Sequence, residues 1–208
     1  GAFIIISPPP PPPGGTGCNS TYDNVNKPPK PFYMRSSGST YCFTRGITYL
    51  TNILIDAPNI TVKAVGTGNK PIIDGQGANE AIYVSTRGDG AQVLNMAVTN
   101  SDQGLSTGND ADNVLFDNVD SYGNSLDGIE LSASLNNTVI NCNVRNNIRN
   151  GIVFTGTGTQ IINCIIKDNT RYPPPAGQEG LHHGIYASDG CVNPIIEGNT
   201  IQFTSNNG

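Results

Sequence analysis

The sequence has no tryptophan, two histidines and two methionines among its 208 residues, and only 13% of the residues are charged. It has no Lys/Arg run. With 16 acidic residues against 11 basic and a net charge of -5, nothing marks it as a binder of nucleic acid or anionic membranes. No apolar stretch approaches the roughly 20 residues of a membrane span. The longest, Ala2 to Ile6, lacks the basic flank and cleavage site of an intact signal peptide. The P-loop, the G-x-G-x-x-G dinucleotide fingerprint, the C-x-x-C zinc pair and a recognisable Ser/His/Asp spacing are all absent. No cofactor and no metal is therefore expected.

What the chain does have is 25 glycines and many Asn, Thr and Ser, a mixture suited to strands joined by tight turns. Self-similarity appears at once. Gly104-Leu105, Gly128-Ile129, Gly151-Ile152 and Gly184-Ile185 open equivalent segments, and Ala81-Ile82 fills the same slot one repeat earlier. The last interval is longer because it holds Arg171 to Gln178, whose prolines mark a loop. A second block follows each opening by about ten residues. It begins at Val93, Val114, Val139, Ile161 and Ile195, and each copy is a short apolar run, a polar bend and another strand start. Runs of three to five residues with period two cannot form amphipathic helices. A repeat near 23 residues built from such runs is one coil of a parallel solenoid, each strand pairing with its equivalent about 4.8 Å away.

The pattern resembles the pectate-lyase-like right-handed parallel β-helix superfamily, over roughly residues 47–203. The expected fold is all-β, a right-handed parallel β-helix of about 5–6 coils with an extended N-terminal strand and a polyproline linker. Three regions are expected: an arm over 1–15, a cap or pre-coil segment over 16–46, and the β-helix over 47–208. The resemblance is specific for fold and nearly silent on function, because the superfamily holds lyases, hydrolases, tailspikes, adhesins and structural proteins.

Stacking predicts three details. Asn141 over Asn163 forms an amide ladder at the bends. Cys142 over Cys164 gives either stacked free thiols or a disulfide. Cys18 and Cys42 staple the arm to the first turn, leaving Cys191 over. The five cysteines fit an oxidising, extracellular compartment, and the acceptor patterns at Asn19, Asn59 and Asn136 fit covalent glycans on a secreted chain.

The first reading of function is self-assembly. Ala2, Phe3, Ile4, Ile5 and Ile6 form an uncharged, β-prone strand. Pro8, Pro9, Pro10, Pro11, Pro12 and Pro13 then form a stiff spacer of roughly 20 Å. The C-terminal Phe203-Thr204-Ser205-Asn206-Asn207-Gly208 carries no amphipathic helix to close the last coil. The chain is thus expected to be either part of a longer protein or the subunit of an extracellular homopolymeric filament. In the filament, copies join head to tail when one chain donates its N-terminal strand to the next β-helix.

The alternative is a carbohydrate-active enzyme (a polysaccharide lyase or hydrolase) or a glycan-binding adhesin module. The resemblance implies a groove for acidic polysaccharide, yet the N-T-D, D-D and G-H-G set of its hydrolase branch is missing. For lyase chemistry the candidate carboxylates are Asp110, Asp112, Asp127 and Glu130, with Arg145 or Arg149 as the base, and His183 is the nearest approach to a catalytic histidine. No residue is assigned as catalytic on this basis. The aromatic cluster Tyr22, Phe32, Tyr33, Tyr41 and Phe43 reads as a cap over the first coil or as a sugar platform.

Overall fold

The computed structural model describes residues 17–169 and 183–202, which contain β-strands and no helix. The Ala2–Ile6 strand, the Pro8–Pro13 tract, the Arg171–Gln178 insertion and the Phe203–Gly208 tail lie outside the described residues.

Every strand pairing is parallel, and the strands fall into two sheets of 8 and 12. The 8-stranded sheet stacks Ser20–Tyr22, Thr40–Thr44, Thr61–Val65, Gln92–Leu94, Leu115–Asp117, Thr138–Ile140, Gln160–Ile162 and Ile195–Glu197. The 12-stranded sheet has two limbs. Two long strands, Ile72–Val84 and Ala97–Thr107, turn the corner and belong to both. One limb continues through Asp120–Tyr122, Asn143–Arg145, Ile165–Lys167 and Thr200–Gln202. The other, which we call the front limb, continues through Ile129–Leu135, Ile152–Thr157 and Ile185–Ala187.

The expected column holds. Ile82 pairs with Leu105, Leu105 with Ile129, Ile129 with Ile152 and Ile152 with Ile185. Alternation sends one residue of each short strand inward. In the 8-stranded sheet these are Val62, Val93, Phe116, Val139 and Ile161, each 0% exposed. The strand-opening glycines are needed for close approach between coils. A Cβ on Gly128 would sit 2.3 Å from Val144 Cγ1 and 2.7 Å from the Gly151 carbonyl oxygen.

The coils begin earlier than residue 47. Ser20–Tyr22 pairs with Thr40–Thr44, which pairs with Thr61–Val65, while Phe32–Met34 pairs with Ile53–Ile55. Residues 20–46 are therefore part of the stack, filled by aromatics where later coils use Val and Ile. Phe32, Tyr41 and Phe43 are buried, and ring contacts at 5.0–5.6 Å link Tyr22, Phe32, Tyr41, Phe43 and Tyr49. Of the five residues read as a cluster, Tyr33 is the exposed large aromatic, with the Arg35 guanidinium 4.7 Å above its ring. Cys18 and Cys42 are disulfide-bonded, Cα atoms 5.8 Å apart, clipping the start of the stack together.

Cys142 and Cys164 are buried free thiols, and Cys191 is a free, half-buried one. Burial pushes the Cys142 thiol well up, which keeps it protonated and inert. Asn95, Asn118, Asn141 and Asn163 all adopt left-handed backbone at the bend. Their amides are shared less regularly than the sequence suggests. Asn118 Nδ2 donates to Asn95 Oδ1 at 2.7 Å, but Asn141 Nδ2 donates to Asp117 Oδ1 at 3.0 Å. The longer ladder is an interior one. Asn124 Nδ2 donates to Asn147 Oδ1 at 2.8 Å, and Asn147 Nδ2 to Asn169 Oδ1 at 2.9 Å, with all three side chains buried.

Candidate functional site

The front limb presents its outward residues as one column. Register places Tyr33 beside Leu54, Leu54 beside Tyr83, Tyr83 beside Ser106, Ser106 beside Glu130, Glu130 beside Val153, and Val153 beside Tyr186. A few residues earlier in each coil, Glu80 pairs with Gln103. These two ladders bring together side chains that are 50 residues apart in sequence. Gln103 Nε2 donates to Glu130 Oε2 at 2.7 Å. Burial, then the charges of Glu130 and Asp102, push the Glu80 carboxyl above its ordinary range. Burial, and then Glu80, likewise raise the Tyr83 phenol. At the far end of the column the His183 and Tyr186 rings stack 5.0 Å apart, and the His183 backbone N–H is tied to Asn150 Oδ1 at 2.8 Å.

The carboxylates singled out from the sequence separate into different roles. Asp127 is 0% exposed and faces the interior. It accepts from the Arg149 guanidinium, with Nε at 3.0 Å, and from the Asn150 backbone N–H and side-chain amide at 3.0 and 2.8 Å. That geometry is a structural brace between coils, so neither Asp127 nor the Arg149 it holds is presented as a free calcium ligand or base. Asp110 and Asp112 serve turns. Asp110 sits in left-handed backbone, and Asp112 Oδ1 accepts the Leu135 N–H at 2.7 Å. Arg145 lies on the other limb, 4.3 Å over the Tyr122 ring, in a different face from Glu130. Of the group, Glu130 alone reaches the front column. Among the described residues no group of three His, Cys, Asp or Glu is arranged to hold a metal.

Glu80, Tyr83, Gln103 and Tyr186 were not selected from sequence. The available signal was the coil register itself. Aligning Ala81-Ile82-Tyr83 on Gly128-Ile129-Glu130 puts Tyr83 and Glu130 in one outward slot, and Tyr186 joins them by the same count. The three sequon asparagines, Asn19, Asn59 and Asn136, are all exposed. Asn59 and Asn136 occupy left-handed turns just before strands of the 8-stranded sheet.

A profile for right-handed β-helix regions matches residues 50–208. The chain belongs to the right-handed β-helix family. No curated protein sequence matches it. Among solved structures, this β-helix resembles an alginate lyase from Paenibacillus sp. str. FPU-7, with a TM-score of 0.63 and 17% identity over 79% of this chain and 59% of the other. It also resembles a periplasmic alginate epimerase, with a TM-score of 0.59 and 14% identity over 82% and 47%. A third is a tailspike protein of the Acinetobacter baumannii bacteriophage Fri1, described as a capsular polysaccharide depolymerase. There the TM-score is 0.55 and the identity 15%, over 82% and 42%. The chain thus spans about half the length of these proteins, and likeness at such identities carries the fold alone. Among the described residues no helix is long and apolar enough to cross a membrane.

Proposed function

We propose that this β-helix is a secreted carbohydrate-active protein that lays a polysaccharide across the front column from Tyr83 to Tyr186. The observation that carries the reading is the composition of that column. Aromatic faces at Tyr83 and at the stacked His183–Tyr186 pair suit the C–H faces of sugars, and the Gln103–Glu130 pair between them suits hydroxyls. The named activities of the similar structures, which all concern polysaccharides, support the same substrate class. Secretion is supported by the Cys18–Cys42 disulfide.

Glu80 is the candidate proton donor, because burial and the charges of Glu130 and Asp102 raise its carboxyl above the ordinary range, and Glu130 is the second carboxylate. The test is affinity electrophoresis and a reducing-end assay on alginate, polygalacturonate and neutral glucans. Retardation or cleavage by at least one polymer, weakened about tenfold by Tyr186→Ala, is expected. Glu80→Gln should remove any cleavage and leave retardation in place. A chain that neither binds nor cleaves any of the panel would overturn the reading.

A second reading, assembly of copies into an extracellular homopolymer, is favoured by one feature. Ile196 follows Ile161 in the interior column yet is 47% exposed, and Ile201 follows the buried Ile166 yet is 45% exposed. The last described coil therefore presents core residues outward. Light scattering after size exclusion over a concentration series should give a mass that rises with concentration.

A further inference from the structure

Among the described residues, no lysine or arginine stands on any strand of the front limb. The cations that flank it are already engaged. Arg35 and Arg87 both reach Asp56, and the Arg149 guanidinium is held by the buried Asp127. Arg145 and Lys167 sit side by side on the other limb, in a different face. His183, at the end of the column, is charged only when its imidazole is protonated.

Negative charge, in contrast, gathers along the column. Gln103 Nε2 donates to Glu130 Oε2 at 2.7 Å, and Gln103 pairs with Glu80 on its other side. Asp102 precedes Gln103 in the same strand, and its carboxylate accepts from the Ser125 hydroxyl. All three carboxylates are half-buried.

We propose that the front column takes a neutral polysaccharide and rejects polymers of uronic acids. This inference rests on the carbohydrate-binding reading above and names its ligand class. A chain lying from Tyr83 to Tyr186 passes over Glu80 and Glu130, two coil steps and roughly 10 Å apart along the stack. That is about one Debye length at 0.1 M salt, so a sugar carboxylate between them is repelled by both. Burial, then the charges of Glu130 and Asp102, already push the Glu80 carboxyl up, and a bound uronate would push it further. A neutral sugar adds no such charge. Its hydroxyls can pair with the Gln103 amide and the Glu130 carboxylate while its C–H faces pack on the tyrosine rings.

The test is affinity electrophoresis of the full chain at neutral pH against polymers matched in backbone. These are polygalacturonate and its methyl ester, alginate and its propylene glycol ester, and a neutral glucan. Retardation is read as the part lost in Tyr186→Ala, which sets aside binding on any other face. At low salt the esters and the glucan should retard the chain at least tenfold more strongly than the free acids. High salt should narrow that gap by screening the repulsion, and so should Glu130→Gln, which removes one charge and keeps the side-chain shape. Free acids that bind as tightly as their esters, with or without added calcium, would overturn the charge selection and leave the column standing as a polysaccharide site. An ester preference that neither salt nor Glu130→Gln reduces would overturn it too, because the preference would then belong to the ester group itself. If no polymer is retarded, the selection and the reading it rests on fall together.

Discussion

Replacing Asp127 by asparagine separates a structural brace from a catalytic group. The carboxylate is fully buried and takes three contacts from the Arg149 guanidinium and two from Asn150. Asparagine keeps the shape but turns an N–H₂ toward donors and leaves the Arg149 cation, 31% exposed at its side chain, without its counter-charge. Removing one partner of a buried pair costs about 3–5 kcal/mol. For a chain of this size each 1 kcal/mol lowers Tm by roughly 2–4 °C, so a fall of about 6–20 °C follows.

Thermal unfolding followed by far-UV circular dichroism, with urea titration beside it, measures the loss. Arg149→Met and the double variant complete a cycle. The double should be less damaging than the sum of the singles by about 1–3 kcal/mol, because it leaves no unpaired charge, yet it still loses the Asn150 bonds. Asp127→Asn within about 1 kcal/mol of the parent would refute the brace. So would a variant of unchanged Tm that had lost a polysaccharide-cleaving activity, since that is the behaviour of a catalytic residue.

Gly128→Ala should lower stability by about 1–3 kcal/mol, because its Cβ meets the Val144 methyl and the Gly151 carbonyl; an unchanged Tm would mean that the coils separate freely. Glu80 has a folded-state pKa raised above 4.5, so its contribution to stability is full below about 4.5 and lost as pH rises through the folded value. The Tm advantage of Glu80→Gln over the parent should accordingly grow from pH 4.5 toward neutrality, and an advantage constant with pH would contradict the burial and the acidic neighbours. Reduction of Cys18–Cys42, which closes a separation of 24 residues, should lower stability by about 3 kcal/mol on chain-entropy grounds. That loss should be absent in a Cys18→Ser/Cys42→Ser variant treated with the same reductant.

The fold was legible because a solenoid writes itself into the sequence several times. Ile82, Leu105, Ile129 and Ile152 share a slot at intervals of 23 or 24 residues, and Ile185 rejoins it after the insertion. The first coil escaped notice for a physical reason. Aromatics do there what Val and Ile do elsewhere, and the Pro28-Pro29 and Pro31 interruption breaks the spacing, so Phe32–Met34 does not look like a repeat of Ile53–Ile55. The interior Asn124–Asn147–Asn169 ladder was hidden by abundance, since asparagine also fills the left-handed bends. Reading Asp127 as a metal or catalytic candidate failed because sequence does not say which way a residue beside a strand-opening glycine faces. The same ambiguity hid the front column, where Glu130 becomes meaningful only when Gln103 is seen on the preceding coil and Tyr83 on the one before that.

The two functional readings draw on different surfaces of one object and do not compete for residues. The front column runs along the stacking axis, from Tyr83 through Glu130 to Tyr186, whereas the exposed edge at Ile196 and Ile201 faces along that axis. A copy added at the edge covers none of the column. It extends it, so that a polymer would repeat the same aromatic and carboxylate groups along its length. A polysaccharide bridging several copies gains effective concentration at each additional site without any new contact. If both readings hold, affinity for a long polysaccharide should rise steeply with assembly while affinity for a short oligosaccharide stays constant. Equal dependence on assembly for the two ligands would mean that the joint reshapes the site, and would break the independence that the geometry implies.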